Sequence, residues 1–247
     1  MAFADYIRLL RFRYHLSFVT VVISAIYFSG GLTIGLAKDL ALLYLSFNLL
    51  LYGGIYAINA ITDANDDSRH PVKKMRPIPA GKISKAGAAA YASFLIASGM
   101  ASAYFIFGMK AVAIYSAFIA INIAYSAGLK KVPYLALLLN SSTHLMRLIL
   151  GSTIANVTPP AGLAGGYWLM AISIGTAWKA AENRKEYSGL ALQTANALAI
   201  ALTAALLFSD PEHTAFYVAF LAIEMASAIS FVIAPFREKW LHIFERS

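Results

Sequence analysis

Long apolar stretches alternate with short polar segments along this chain of 247 residues. A helix needs about 20 mostly apolar residues to cross a bilayer. Stretches of that length predict membrane spans at residues 15–37, 40–59, 86–107, 110–128, 133–156, 164–182, 189–208 and 214–234. The pattern therefore predicts an all-α, polytopic transmembrane helical bundle of about eight spans, organised as a single domain over residues 1–247.

Composition agrees with a membrane protein. Hydrophobic residues make up 60% of the chain and charged residues only 13%, which is too apolar for a soluble domain. Cysteine is absent, which excludes disulfides and thiolate metal sites. The net charge of +8 would suggest nucleic acid in a soluble protein, but here we expect membrane lipids and no nucleic acid as partners.

The basic residues are distributed unevenly between the two sides of the predicted bundle. Of the 20 lysines and arginines, all but Lys38, Lys110 and Arg147 fall in segments on one side. Cytoplasmic loops of membrane proteins carry such an excess. We therefore expect a multi-pass protein of the cytoplasmic membrane, with both termini and the polar segment 59–81 in the cytoplasm.

Segment 59–81, NAITDANDDSRHPVKKMRPIPAG, is acidic in its first half and basic in its second. Asn59, Asp63 and Asp67 recur every four residues, so on a helix their side chains share one face. Pro71 predicts that this helix ends shortly after Asp67. Carboxylate and amide oxygens are hard ligands suited to Mg²⁺, so these three residues are metal-ligand candidates, with Asp63 and Asp67 as catalytic candidates.

Basic side chains follow these acids directly. Lys73, Lys74 and Arg76 supply charge for a diphosphate, and an arginine can bind two of its oxygens at once. The alternative is an ordinary cytoplasmic loop whose basic residues set topology and contact anionic headgroups. The four-residue spacing of amide and acids favours the metal and diphosphate site, because a topology signal does not need it.

The segment resembles the first signature of the UbiA superfamily of intramembrane prenyltransferases. That signature has an amide and acids at this spacing, followed by Arg-Pro and a glycine. The matching residues here are Asn59, Asp63, Asp67, Arg76, Pro77 and Gly81, with Ala60 where the family usually has an aspartate. Weaker matches extend to Tyr125, Ser126, Gly128, Leu129 and Lys130, and to residues 7–15.

The resemblance implies a UbiA-like bundle whose polar end faces the cytoplasm and whose apolar interior holds an isoprenoid tail. It implies Mg²⁺ as cofactor, an isoprenoid diphosphate as substrate, and transfer of the prenyl group to an aromatic, quinone-precursor or lipid-headgroup acceptor. Asn59 would then also contact the diphosphate, and Tyr125 becomes a further catalytic candidate.

A second polar cluster follows the sixth predicted span. Lys179, Glu182 and Glu186 lie near one helical face by their spacing. The family has a second Asp-rich motif at this place that binds another Mg²⁺, with a lysine nearby. By this resemblance Lys179 is a catalytic candidate, and Glu182 and Glu186 are metal candidates. The alternative is a set of intrahelical ion pairs.

Arg147 interrupts the apolar fifth span. A charge at that depth is expensive unless it is paired or faces a cavity, so its partner is a phosphate or an acid. The first alternative makes Arg147 a diphosphate contact. The second makes it a structural ion pair, for example with Glu224 of the eighth span.

Two other functions stay open. The stretch His70–Pro71–x–Lys73–x–x–Arg76–Pro77–Ile78 also resembles the polyprenyl-phosphate phosphoribosyltransferase branch of the superfamily, in which the metal-bound diphosphate belongs to a phosphoribosyl donor. Buried charges also occur in transporters and lipid-binding membrane proteins. That class is less favoured, because the chain lacks the internal repeats with interrupted helices typical of transporters.

Overall fold

The computed structural model describes residues 3–182 and 187–232, and all regular elements within them are helical. Each of the eight predicted spans overlaps a helical segment, but the first, 15–37, extends past the end of its helix at Phe28 and into the second segment, which begins at Ile34. The described chain divides into two compact units, Met1–Gly128 with Leu150–Val157 and Leu129–Ile149 with Thr158–Ser247. The all-α prediction is thereby confirmed.

Unit 1 contains the first four helical segments. In chain order they are α1 (Phe3–Leu9) with a 3-10 segment (Phe12–Phe18) and α2 (Val19–Phe28); α3 (Ile34–Leu43) with a π-helical segment (Tyr44–Tyr52) and α4 (Gly53–Asp67); α5 (Lys85–Ser102) with a π-helical segment (Ala103–Phe107); and α6 (Met109–Ser126). A short 3-10 turn, Lys73–Met75, lies between α4 and α5.

The second segment is longer than a bilayer requires. It runs without interruption through 34 residues, Ile34–Asp67, which at a rise of about 1.5 Å per residue is about 50 Å of helix. The hydrocarbon core is only about 30 Å thick. The polar last turns of α4 can therefore project beyond the apolar layer, which removes the cost of burying their carboxylates.

Small residues bring α4 and α5 close together. A Cβ atom on Gly54 would lie 2.9 Å from the backbone oxygen of Ala92 and 2.6 Å from the side chain of Ile96. Helices in membranes commonly pack this closely. Lipid provides no hydrophobic driving force for helix association, so van der Waals contacts between small residues stabilise the packing. The apolar face of α4 is thus fixed against α5, and its polar face is left for the site. The buried cluster at this contact consists of Leu9, Ala57, Ala60, Ala64, Ile78, Ile83, Ala88 and Ala92.

Unit 2 contains the remaining segments. They are α7 (Pro133–Ile154), whose last turns belong to unit 1, α8 (Ala161–Glu182), α9 (Gly189–Ser209) and α10 (Thr214–Val232). Asp210, in the connection between α9 and α10, accepts hydrogen bonds from Tyr217 at 2.7 Å and from His213 at 2.9 Å. A Cβ atom on Gly162 would lie 2.8 Å from the Tyr217 hydroxyl, so this polar group is packed against the start of α8.

Five of the described segments are long and apolar enough to cross a membrane. They are Phe3–Phe28, Ile34–Asp67, Lys85–Phe107, Met109–Ser126 and Gly189–Ser209. The first begins twelve residues before the predicted span at residue 15, because α1 extends the helical segment toward the N-terminus. The predicted orientation of the termini stays a prediction.

Candidate active site

The acidic repeat lies at the end of α4, as Pro71 predicts. Asn59, Asp63 and Asp67 occupy the last two and a half turns of that helix, which ends at Asp67 with Ser68 as its C-cap. Asp66, which lies off this face, is exposed, whereas Asp67 is only 5% exposed. The structure therefore separates two adjacent acids, with one in solvent and one held by the protein.

Asp67 is held by Arg76. Nη1 of Arg76 donates a hydrogen bond of 2.7 Å to Oδ2 of Asp67. A charge-assisted bond of this kind contributes about 1.5–3 kcal/mol when it is partly buried. The other carboxylate oxygen of Asp67 has no hydrogen-bond partner within the described residues. The ion pair thus joins an acidic and a basic residue that were predicted for the same site. One carboxylate oxygen of Asp67 remains available as an acceptor.

The loop after Arg76 is fixed by packing. Ile78 and Ile83 are buried in the α4–α5 core, and the backbone N–H of Ile83 donates to the carbonyl of Pro77 at 3.2 Å. Gly81 has a φ of +71°, a left-handed conformation that a side chain would strain. The backbone conformation at this position therefore explains why a glycine follows Arg-Pro in the sequence. The packed loop holds Arg76 beside Asp67.

Asn59 is oriented from α6. The hydroxyl of Ser126 donates to Oδ1 of Asn59. This contact fixes the amide plane, and Oδ1 has a second lone pair for another partner. Tyr125, the predicted catalytic residue, is half-buried on the turn before Ser126. The α6 match to the family therefore lies beside the acidic repeat in unit 1.

Two arginines near the N-terminus were missed as site residues. Arg11 interacts electrostatically with Asp63 and Arg76, and its guanidinium carbon lies 5.7 Å from the ring centroid of Tyr56. The guanidinium carbon of Arg13 lies 4.4 Å from the ring centroid of Tyr14. In the sequence both looked like topology signals before the first span. The available sign of a further role was their place within the weak family match at residues 7–15.

The two guanidinium groups have unmet hydrogen-bonding capacity. Nη2 of Arg11 and Nη1 of Arg13 are buried and have no hydrogen-bond partner among the described residues. Arg11 also adopts a left-handed backbone conformation, with φ of 50°. Strain and unpaired buried donors are costly and concentrate at functional sites. Both features indicate that an anion belongs near this cluster.

Lys73 and Lys74 start the short 3-10 turn and are exposed. Among the described residues neither ammonium group has a hydrogen-bond or ion-pair partner. They differ in this from Arg76, which the protein already uses. The lysines are therefore available to a soluble anion.

The oxygen donors of α4 fit a magnesium ion. Within residues 3–182 and 187–232 no three acidic or histidine side chains converge on a metal position. Mg²⁺ does not require such a set, because it usually keeps water and takes one or two carboxylates together with substrate phosphates. Asp63, the spare oxygen of Asp67 and the amide oxygen of Asn59 match that chemistry.

The second predicted cluster belongs to unit 2 and is described only in part. Lys179 lies in the last turn of α8, with its ammonium 5.8 Å from the ring centroid of Tyr187. The hydroxyl of Tyr187 donates to the carbonyl of Pro133 at 2.7 Å. Glu182 ends α8; its side chain, like all of Glu186, lies outside the described residues, so their metal roles stay predictions.

Arg147 is completely buried in α7, at 1% exposure. Its Nη1 donates to the carbonyl of Thr143 at 2.8 Å, on the preceding turn. Glu224 is also buried, at 0% exposure, and accepts from Thr203 at 2.9 Å. The carboxylate of Glu224 thus contacts a hydroxyl, so the ion pair between Arg147 and Glu224 is absent from the described part of the chain.

Fold and site together define a class: a helical membrane protein in which a cluster of oxygen ligands and cations lies at the end of one long span. A sequence profile of the UbiA prenyltransferase family matches residues 17–243. The chain therefore belongs to the UbiA prenyltransferase family.

Relatives are similar over part of their length. Decaprenyl-phosphate phosphoribosyltransferase of Mycolicibacterium smegmatis is 29% identical over 145 residues, which cover 59% of this chain and 44% of that protein. Nodulation protein NoeC of Azorhizobium caulinodans is 32% identical over 131 residues, covering 51% and 42%. The chain thus spans less than half the length of these two curated relatives.

A solved structure shares the fold. A UbiA homologue from Archaeoglobus fulgidus, bound to GPP and Mg²⁺, superimposes with a TM-score of 0.76 at 19% identity, covering 91% of this chain and 86% of that one. This likeness shows the UbiA fold for the present chain. In that homologue a divalent metal and a prenyl diphosphate are bound together.

Proposed function

We propose that this protein is an integral-membrane transferase that binds the diphosphate of an isoprenoid substrate through Mg²⁺ and transfers the prenyl group to an acceptor. The observation that carries the proposal is the pairing of Asp67 with Arg76 beside Asn59 and Asp63. Oxygen ligands for a metal and cations for phosphate are thereby joined in one small region. Family membership and the ligands of the Archaeoglobus fulgidus homologue support the same chemistry.

Prenyl transfer breaks the bond between C1 of the prenyl group and the diphosphate oxygen. The electron pair leaves with the diphosphate, C1 bonds to the acceptor, and the acceptor loses a proton. Arg76 and the free ammonium groups of Lys73 and Lys74 stabilise negative charge on the departing oxygens. The unmet donors of Arg11 and Arg13 supply further positive charge to the same region of unit 1.

Asn59, Asp63 and Asp67 would hold the metal. Mg²⁺, when bound, neutralises diphosphate charge and makes the diphosphate a better leaving group. Ser126 keeps the amide of Asn59 in position, and Tyr125 is the aromatic side chain proposed for the reacting region. For unit 2, Arg147 stays a proposed phosphate contact, Lys179 stays a proposed catalytic residue, and Glu182 and Glu186 stay proposed ligands of a second metal.

The location of the site suits such a substrate. An isoprenoid tail can remain among apolar side chains, while its diphosphate meets ions at the polar end of α4. We further propose that this end faces the cytoplasm, because the basic residues of the Asn59–Gly81 region follow the positive-inside pattern. Cysteine accessibility tests this: a single cysteine at the exposed Arg69 should react with a membrane-impermeant maleimide only after the membrane is opened.

A second candidate is transfer of a phosphoribosyl group to a polyprenyl phosphate. Two observations favour it: the stretch from His70 to Ile78, and the similarity to decaprenyl-phosphate phosphoribosyltransferase of Mycolicibacterium smegmatis. In that reaction the diphosphate of phosphoribosyl diphosphate leaves from the ribose C1, and the lipid phosphate is the acceptor. The same α4 cluster would bind the leaving diphosphate.

One experiment separates the two candidates. Purified protein in detergent is incubated with Mg²⁺ and either a long-chain prenyl diphosphate plus candidate acceptors or phosphoribosyl diphosphate plus a polyprenyl phosphate. Acceptor-dependent release of pyrophosphate from the prenyl donor supports the first function, and release from the phosphoribosyl donor supports the second. Release from neither, by folded protein, contradicts both.

A further inference from the structure

The loop between Asp67 and Arg76 is shaped by one side chain. The 3-10 turn Lys73–Met75 begins after Val72, which has no side-chain group that could cap it. Instead, Nδ1 of His70 accepts hydrogen bonds from the backbone N–H of Val72 at 3.2 Å and of Lys73 at 3.3 Å. His70 therefore satisfies the first free N–H groups of the turn, as a capping residue does.

Backbone hydrogen bonds join His70 to both ends of the loop. Its N–H donates to the carbonyl of Asp67 at 3.1 Å, and its carbonyl accepts from Lys74 at 3.2 Å. Pro71, the next residue, has no N–H and a fixed φ, which leaves the Val72 and Lys73 N–H groups as the nearest donors. His70 thus connects the acidic end of α4 to the turn that carries the lysines, through its backbone on one side and its imidazole on the other.

The lysines depend on this turn for their position. Neither ammonium group has a hydrogen-bond or ion-pair partner in the described chain. Only the backbone of the turn therefore fixes the positions from which the Lys73 and Lys74 side chains extend. Arg76 differs, because Asp67 and the buried loop hold it independently. Loss of the His70 cap should therefore affect the lysines and leave Arg76 in place.

We propose that His70 is a positioning residue of the diphosphate site: its Nδ1 caps the Lys73–Met75 turn and so fixes the backbone from which Lys73 and Lys74 reach the substrate anion. This inference rests on the proposed function for its kinetic consequence. The cap itself is a structural statement and can be tested without catalysis.

The variants are His70→Ala and His70→Phe, which lack the acceptor, and His70→Asn, whose side-chain oxygen can accept from the N–H groups two and three residues ahead. Arg69→Ala is the matched control, because it removes an exposed charge from the same loop. Hydrogen–deuterium exchange of the peptide covering residues 71–76 reports the cap. The effect of the cap on catalysis is measured as KM and kcat for whichever donor substrate releases pyrophosphate with the wild-type protein.

We expect His70→Ala and His70→Phe to speed amide exchange in that peptide and to raise KM for the donor about three- to tenfold, with kcat within about twofold. His70→Asn should restore both values. In a Lys73→Ala, Lys74→Ala background, His70→Ala should add little to KM, because residues that act through one another are not additive.

Three results would overturn the inference: unchanged exchange in His70→Ala, no rescue by His70→Asn, or a full additional KM effect in the lysine-free background. Failure of the proposed function looks different. In that case Asp67→Asn would leave turnover intact, while the exchange data would still decide whether His70 caps the turn.

Discussion

The two regions with candidate charges hold those charges in different ways. In unit 1, Asp67 and Arg76 neutralise each other at the end of a helix that is long enough to leave the apolar layer. In unit 2, Arg147 and Glu224 are buried in helices; Arg147 donates to the carbonyl of Thr143, and Glu224 accepts from the hydroxyl of Thr203. Paired charges beside spare acceptors suit a metal–diphosphate complex, whereas charges buried within helices suit structural roles or deep contacts.

The largest effect should come from the acids of α4. We expect Asp63→Ala and Asp67→Ala each to reduce turnover about 100- to 1000-fold, because each removes an oxygen ligand for the charge-neutralising metal. Pyrophosphate release by purified protein measures this. Asp66→Ala is the matched variant from the exposed side of the same turn and should lose far less. Equal losses for Asp66 and Asp67 would remove the distinction between the two faces.

Arg147 tests the other side of the comparison. Arg147→Met keeps much of the volume and removes the charge, so it separates loss of the charge from loss of packing. If Arg147 contacts phosphate, turnover should fall about ten- to 100-fold while the melting temperature stays within a few degrees. Turnover and thermal unfolding are measured on the same preparation. Retained turnover would assign Arg147 a purely structural role.

A smaller effect is expected at the contact between α4 and α6. Ser126→Ala removes the hydroxyl that donates to Asn59, so the amide loses its fixed orientation. We expect turnover to fall about three- to tenfold, the usual scale for one neutral hydrogen bond. Ser126→Thr keeps the hydroxyl and serves as the control. A loss in both variants would point to packing, not to the hydrogen bond.

The smallest effect concerns the loop between α9 and α10. Hydrogen bonds from His213 and Tyr217 lower the pKa of Asp210. A lowered folded-state pKa adds stability that is present above the unfolded value of about 3.9 and is lost as the pH falls through the folded value. The melting temperature should therefore drop more between pH 5 and pH 3 in the wild type than in Asp210→Asn. Parallel curves for the two proteins would contradict this assignment.

Sequence patterns predicted what depends on one helix at a time. The apolar stretches gave the eight helical segments, and the four-residue spacing gave the α4 cluster with Arg76 close behind it. Contacts between segments that are distant in sequence could not be predicted in this way, because no regular spacing of residues marks them. The approach of Arg11 to Asp63 and the bond from Ser126 to Asn59 depend on helix packing, so the arginines looked like topology signals and the serine like a weak match.

The polar residues of unit 2 show the same limit to prediction from sequence. Lys179 was predicted from its place in the helix, and the structure adds Tyr187 as its neighbour. The ion pair considered for Arg147 and Glu224 required knowledge of which helix faces meet, which spacing alone does not contain. Glu224 instead contacts Thr203 on the neighbouring helix of its hairpin.

The central claim is that the oxygen ligands of α4 bind a diphosphate through Mg²⁺. The most direct test is titration calorimetry of purified protein with an unreactive thiolodiphosphate analogue of the donor, with and without Mg²⁺. We predict binding that requires Mg²⁺ and is lost in the Asp63→Asn, Asp67→Asn double variant, while that variant remains folded. Binding of equal strength without Mg²⁺, or in the double variant, would contradict the claim.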